Sequence, residues 1–173
     1  MANTCGFGPH LTLDLNDCNP EKLADFDLVF DVLNNLPDLI GMTKITQPYV
    51  FKYAGLVPED KGITGFIVIA ESHISIHTFQ DKNYAFIDLF SCKPFDYEYA
   101  QQYLIKTFGS KTPTIHVVER GLDFPRSAPQ RPIPADRPDV SDGAMPLTVS
   151  EPAAANNEPV MMPGLVHNLA KTA

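Results

Sequence analysis

The chain has little positive charge, few cysteines and no long apolar run, and each shortage argues against a class of function. Its 173 residues hold 13 Lys and Arg against 21 Asp and Glu, for a formal net charge of −8. A nucleic-acid surface, which needs clustered Lys and Arg, is therefore not expected. The longest apolar stretch, Phe66–Ala70, is far too short to cross a bilayer. The N-terminal residues lack a basic region followed by an apolar run, so we expect no secretory signal and no membrane partner.

The three cysteines, Cys5, Cys18 and Cys92, are odd in number and include no CxxC pair. Their spacings are unlike those of zinc sites, so we expect no metal. Reduced cysteines are typical of a cytoplasmic protein, which is the location we expect. His10 and His116 are interpreted as structural because no third ligand lies at a metal-like spacing.

The composition changes near residue 124. Residues 121–173 contain nine of the sixteen prolines, interspersed with Ala, Asn and Ser. A segment of this kind buries little apolar surface and forms few regular hydrogen bonds. We therefore predict a folded domain over residues 1–123 and a proline-rich, flexible tail over residues 124–173.

The predicted domain reads as alternating strands and helices. A helix capped by Asn19 should end before Pro37, and a second helix should begin after Asp96 and end at Gly109. The hydrophobic patterns predict six strands: His10–Leu15, Lys44–Tyr53, Thr64–Ala70, His73–Phe79, Tyr84–Phe90 and Thr114–Glu119. Strands outnumber helices, and short turns join several of them. This order favours an α+β fold, a two-layer sandwich with a mainly antiparallel sheet and helices on one face.

Polar residues interrupt the two apolar strands between residues 70 and 79. In an ordinary hairpin, Glu71 and Ser72 would form the turn, and His73, Ser75 and His77 would line a solvated face. Pattern alone favours that interpretation, because alternation is common in strands and reactive serines are rare.

The segment ESHISIHTF at residues 71–79, followed by YAFIDLFSC at residues 84–92, resembles the signature of the prokaryotic S-adenosylmethionine decarboxylases, a pyruvoyl-dependent family. The resemblance extends to Gly8–Leu11, Ile63–Ile69 and Ile115–Glu119 in matching order. It covers roughly residues 6–120 and leaves the tail outside.

The resemblance implies that the chain cuts itself between Glu71 and Ser72 and converts Ser72 into a covalent pyruvoyl group. Ser72, His77 and Cys92 then take the catalytic roles, with His77 as the processing base and Cys92 as the proton donor to the substrate. Thr64 stands where the family has a serine whose hydroxyl assists processing. The implied reaction is decarboxylation of S-adenosylmethionine through a Schiff base, in polyamine biosynthesis. The resemblance also implies a homodimer of cleaved chain pairs.

The chain departs from the family at the substrate-binding residues. Phe79-Gln80-Asp81 replaces the usual Trp-Pro-Glu, so Phe79 and Asp81 are the candidates for substrate contacts. The same scaffold could instead decarboxylate L-arginine or L-ornithine, whose cationic end could pair with Asp81. A third possibility is an uncleaved, non-catalytic homologue that binds or regulates an active partner.

Overall fold

The computed structural model describes residues 6–54 and 56–125, which form one six-stranded antiparallel sheet with helices on one face. The strands are β1 (Gly8–Leu15), β2 (Tyr49–Tyr53), β3 (Gly62–Ile69), β4 (Ser72–Phe79), β5 (Tyr84–Ser91) and β6 (Thr114–Arg120). The α-helices are α1 (Pro20–Leu23), α2 (Phe26–Leu39) and α3 (Tyr97–Phe108), and two short 3-10 helices cover Pro58–Asp60 and Gln80–Lys82. The strand order is β2-β3-β4-β5-β1-β6. The predicted α+β fold is confirmed.

The core lies between the sheet and the helices. Alternation along β1, β4 and β5 directs one set of apolar side chains to the helices, and these are almost fully buried: Leu11, Leu13, Leu15, Ile74, Ile76, Ala85, Ile87 and Leu89. The helices contribute Leu23, Val29, Val32, Leu33, Leu36, Ala100, Leu104 and Phe108. The opposite side of the sheet, called the open face below, carries the alternate residues. The buried side chains of α1, α2 and α3 belong to the core on the other side of the sheet.

The first predicted helix is two helices, and its predicted end is wrong. Asn19 caps α1 as expected, but the Asp25 carboxylate accepts a hydrogen bond from Leu28 N–H at 3.0 Å and starts α2 separately. Pro37 lies inside α2, which continues to Leu39. The Pro37 ring is buried in the core, and its carbonyl accepts a hydrogen bond from Met42 N–H at 2.7 Å. The second predicted helix is confirmed, with Asp96 as its N-cap and Gly109 as its left-handed C-cap.

The predicted strand Lys44–Tyr53 is too long. Only Tyr49–Tyr53 pairs regularly with β3, and Lys44 makes an isolated bridge to Ile69. Pro48 has no N–H to give to a ladder, which explains why regular pairing begins one residue later. The predicted tail lies, from residue 126 onward, outside the described residues. No helix in the described part of the chain is long and apolar enough to span a membrane.

Candidate active site

The turn between β3 and β4 places Glu71 and Ser72 beside Cys92. Ser72 pairs with Ile69 on one side and with Ser91 on the other, so the end of β5 lies against the turn. The Cys92 N–H donates a hydrogen bond of 2.8 Å to the Glu71 carbonyl oxygen. A backbone N–H fixed on a carbonyl oxygen stabilises the negative charge that forms there when a nucleophile attacks the carbon.

Ser72 has an unusual backbone. Its φ is 155°, one of three positive values among the described non-glycine residues. Residues other than glycine rarely adopt a positive φ. Those that do are found mainly at functional sites, where the surrounding structure stabilises the strained backbone. The peptide bond that precedes this strained residue is the one that the family resemblance predicts to be cut.

The Glu71 side chain fixes the Glu71–Ser72 peptide through contacts of its carboxylate. Its carboxylate accepts hydrogen bonds from Thr43 N–H at 2.9 Å and pairs with Lys93 Nζ at 3.1 Å. Only 10% of the Glu71 side chain and 15% of the Lys93 side chain are exposed. Burial acts to raise the pKa of Glu71, but the hydrogen bonds from Thr43 and Lys93 outweigh it, and the net pKa is lowered. Glu71 is therefore a fixed, ionised side chain.

Two further residues near the turn, His73 and Lys93, were not predicted as site residues from the sequence. Ser72 Oγ lies 3.0 Å from Nδ1 of His73, a residue that alternation alone assigns to a solvated strand face. Lys93 directly follows Cys92 in the chain, and that adjacency is the one signal that could have pointed to it. Its Nζ also donates to the Gly41 carbonyl, so the cation is held on two sides.

His77 and Thr64 lie together, at the other end of the same strand pair. They are direct partners across β3 and β4, and Thr64 Oγ1 is 3.2 Å from His77 Nδ1. Ser72 and His77 are five residues apart on β4, so their backbones are separated by about 17 Å, since a strand rises ~3.4 Å per residue. The structure brings Glu71, Ser72 and Cys92 together within one chain but leaves Thr64 and His77 apart from them.

A groove of about 420 Å³ lies at the His77 end, lined by Phe51, Lys52, Tyr53, Asp60, Gly62, Thr64, His77, Thr78 and Phe79. Phe79 is in its wall, as a substrate contact would require. Asp81 is not among the lining residues, and its carboxylate pairs with Lys61 at 3.0 Å. Asp60, which the sequence did not single out, supplies the acidic group of the groove and is itself paired with Lys82.

A family model described as S-adenosylmethionine decarboxylase matches residues 9–121 of this chain. The chain belongs to the S-adenosylmethionine decarboxylase family. The resemblance seen in the sequence is thereby confirmed.

Individual members of the family agree with this assignment. The chain is 37% identical over 119 residues to the S-adenosylmethionine decarboxylase proenzyme of Thermodesulfovibrio yellowstonii, covering 66% of this chain and 82% of that protein. The proenzyme of Pyrococcus furiosus is 29% identical over 117 residues, covering 67% and 80%. The crystal structure of the adenosylmethionine decarboxylase from Aquifex aeolicus superposes with a TM-score of 0.58 at 26% identity, over 70% of this chain and 96% of that one.

In this member of the S-adenosylmethionine decarboxylase family, the Glu71–Lys93 pair should hold the turn rigid. We expect Lys93→Met, made in a Ser72→Ala background so that every molecule stays uncut, to lower the free energy of unfolding by about 3 kcal/mol at neutral pH, because it leaves a buried carboxylate unpaired. The pKa of Glu71 is lowered in the fold, so its contribution is present at neutral pH and is lost as the pH falls through the folded-state pKa. Lys93→Met should therefore cost progressively less free energy of unfolding as the pH falls through the folded-state pKa of Glu71.

Urea unfolding over a series of pH values, from neutral downward, measures this difference. Lys61→Met is the matched control, because the Lys61–Asp81 pair is about half exposed and should contribute under about 1 kcal/mol. Equal losses in the two variants would show that the Glu71–Lys93 pair does not stabilise the turn.

Proposed function

We propose that the chain is a self-processing, pyruvoyl-dependent decarboxylase that acts on S-adenosylmethionine in polyamine biosynthesis. The observation that carries the proposal is the Cys92 N–H fixed on the Glu71 carbonyl oxygen, immediately before Ser72. The decarboxylase name shared by the relatives and by the structural neighbour favours this substrate over L-arginine or L-ornithine. The proenzyme name of the relatives also favours a cleaved enzyme over an uncleaved regulatory homologue.

The residues around the turn fit the formation of a pyruvoyl group. Ser72 Oγ attacks the Glu71 carbonyl carbon, and the Cys92 N–H stabilises the negative charge that develops on the carbonyl oxygen. The Glu71–Ser72 peptide thereby becomes an ester, whose elimination separates residues 1–71 from residues 72–173. His77 removes the Ser72 α-proton in that elimination, and the dehydroalanine left at residue 72 tautomerises to an imine that takes up water and releases ammonia, which leaves the pyruvoyl group. The pyruvoyl group supplies a carbonyl that binds the substrate amine and withdraws electrons as carbon dioxide leaves.

Cys92 is the thiol that returns a proton to the substrate α-carbon. It lies beside the proposed cut and is partly exposed, so a bound substrate can reach it. Cys18 is unsuited to this role, since its thiol is 4% exposed and donates to the Leu15 carbonyl. Burial raises the pKa of Cys18 to about 11, which makes proton loss near neutral pH unfavourable.

Two copies of the chain are needed to complete the site. Within one copy, Ser72 lies about 17 Å along β4 from His77, too far for proton transfer. In a two-fold dimer each surface contacts its own equivalent, so the His77 end of one copy can meet the Ser72 end of the other. Each site then takes Glu71, Ser72 and Cys92 from one copy and Thr64 and His77 from its partner.

The open face supports such a homodimer. It carries large side chains that are 40–54% exposed: Tyr49, Phe51, Tyr53, Phe66, Phe86 and Val118. Exposed apolar side chains gathered on one face mark an interaction surface rather than a solvated one. Ser75, His77 and Phe79 alternate onto the same face of β4. Two open faces packed together would bury the aromatic residues and enclose both proposed sites.

The groove at the His77 end is the proposed place for the substrate. Phe79 offers an aromatic surface to the apolar part of the ligand. Asp60 pairs with Lys82 and Asp81 pairs with Lys61, so these four side chains are electrically balanced, and a cationic substrate would displace a lysine to reach either carboxylate. We retain Phe79 and Asp81 as substrate-binding residues and add Asp60.

The proposal is tested by intact mass and by product. Freshly purified protein should give two fragments, and the one beginning at residue 72 should react with an amine plus borohydride. Release of carbon dioxide is then measured with carboxyl-labelled S-adenosylmethionine, L-arginine and L-ornithine in parallel, and we expect the first to be preferred by at least ~10²-fold. A single 19.1 kDa species that persists for days and releases no carbon dioxide would refute the proposal.

A further inference from the structure

The imidazole within hydrogen-bonding distance of the proposed nucleophile is that of His73, not that of His77. Ser72 Oγ is 3.0 Å from His73 Nδ1, within hydrogen-bonding distance and inside the same chain. An imidazole nitrogen in this position can accept the hydroxyl proton as the oxygen becomes a nucleophile. His77 cannot take that proton in its own chain, and its Nδ1 is engaged with Thr64 Oγ1.

The surroundings of His73 lower the pKa of its imidazole, although the side chain is exposed. Its ring packs edge-on against Phe90, with centroids 6.2 Å apart, and the Arg120 guanidinium lies 4.2 Å above the same Phe90 ring. Partial removal from water lowers the pKa of His73, and His10 and Arg120 lower it further. Asp88 acts in the opposite direction but is outweighed. The base therefore stays unprotonated to a lower pH than an ordinary histidine.

His10 and Asp88 lie next to each other on the open face, near His73. His10 Nε2 is buried, makes no hydrogen bond and lies 3.3 Å from Asp88 Oδ1. Both residues belong to the open face, where His10 and His73 pack on the same Phe90 ring. Asp88 raises the pKa of His73 and His10 lowers it, so the two neighbours act in opposite directions.

We propose that His73 is the base for the first processing step, the transfer of the Glu71 acyl group from the Ser72 nitrogen to the Ser72 oxygen. This inference rests on the proposed function and assigns that step to a residue of the same chain. His73 Nδ1 takes the proton from Oγ as the Oγ–C bond forms, and returns it to the Ser72 nitrogen as the C–N bond breaks. The step is an isomerisation, so no other reactant is needed. His77 then acts in the second step, the elimination.

The two steps are separated by hydroxylamine, which cleaves an ester but leaves an ordinary peptide bond intact. In a His77→Ala background elimination is blocked, and at saturating hydroxylamine the rate of cleavage at residue 71 equals the rate of the acyl shift. We expect His73→Gln to slow this cleavage about 10²-fold, the usual contribution of a general base. His73→Ala should be equally slow and should be partly restored by added imidazole. His116→Gln, an exposed histidine on β6, is the matched control and should have no effect.

The outcomes separate this inference from the proposed function. Cleavage by hydroxylamine at an unchanged rate in His73→Gln, or a slow His73→Ala that imidazole does not restore, would overturn the role of His73 alone. If the unmodified chain neither cleaves itself after residue 71 nor is cleaved there by hydroxylamine, the proposed function is overturned, and this inference with it. Circular dichroism of each variant confirms that the comparison is between folded proteins.

Discussion

Ser72→Ala is expected to remain a single 19.1 kDa chain and to release no carbon dioxide from S-adenosylmethionine. Alanine has no oxygen to attack the Glu71 carbonyl, so neither the ester nor the electron-withdrawing carbonyl can form. The fold should be unaffected, since the hydrogen bond that the hydroxyl loses is to the exposed side chain of His73 and Ser72 itself is only half-buried. Intact-mass spectrometry and labelled carbon dioxide release measure the two losses together.

Ser75→Ala is the matched control for this substitution. Ser75 lies three residues further along β4, and its replacement removes a hydroxyl from the same strand without touching the turn. It should process and turn over at close to the rate of the unmodified chain. A Ser72→Ala protein that is still cut after residue 71 would exclude Ser72 as the precursor.

The second large effect is expected when two inactive variants are produced together. Ser72→Ala lacks the nucleophile, and His77→Ala lacks the proposed elimination base, so each homodimer should be inactive. In a mixed dimer, the Ser72 of the His77→Ala chain meets the intact His77 of the Ser72→Ala chain. One of the two sites in that dimer is then complete, while the other lacks both groups.

Random pairing makes half of the dimers mixed, and each has one complete site of two. Co-expression should therefore recover about one quarter of the decarboxylase activity, and only the His77→Ala chain should be cut. Differently tagged chains, purified in tandem and weighed by mass spectrometry, give the measurement. The double variant Ser72→Ala/His77→Ala co-expressed with His77→Ala is the control, since no complete site can form. Absence of recovery in a verified mixed dimer would mean that His77 serves its own chain or has no role in processing.

Local signals predicted most of the secondary structure. Asp96 and Gly109 bound the second helix because capping chemistry depends on residues next to the helix end. The same reasoning failed at Pro37, because the burial of its ring in the core outweighed the loss of one backbone hydrogen bond. The residues next to Pro37 in the sequence do not indicate that its ring packs in the core.

The sequence predicted which residues belong to the candidate site, but it did not predict the contacts between them. The contact between the Cys92 N–H and the Glu71 carbonyl depends on the register of β4 against β5, which the turn at Gln80–Lys82 sets. The separation of Ser72 from His77 was available from the sequence, since five residues of a strand span about 17 Å. The Ser72–His73 hydrogen bond was not, because regular alternation places neighbouring side chains on opposite faces.

The strand order has a consequence for the molecule after it is cut. A break between residues 71 and 72 leaves β1, β2 and β3 in one fragment and β4, β5 and β6 in the other. In the sheet, however, β1 lies between β5 and β6, and β3 lies against β4. The two fragments are joined by three strand pairs, β3–β4, β1–β5 and β1–β6. Neither fragment can therefore dissociate without breaking the hydrogen bonds of the sheet. Maturation would thus convert one chain into two while preserving a single cooperative body, and once melted and diluted that body could reform only by a bimolecular encounter.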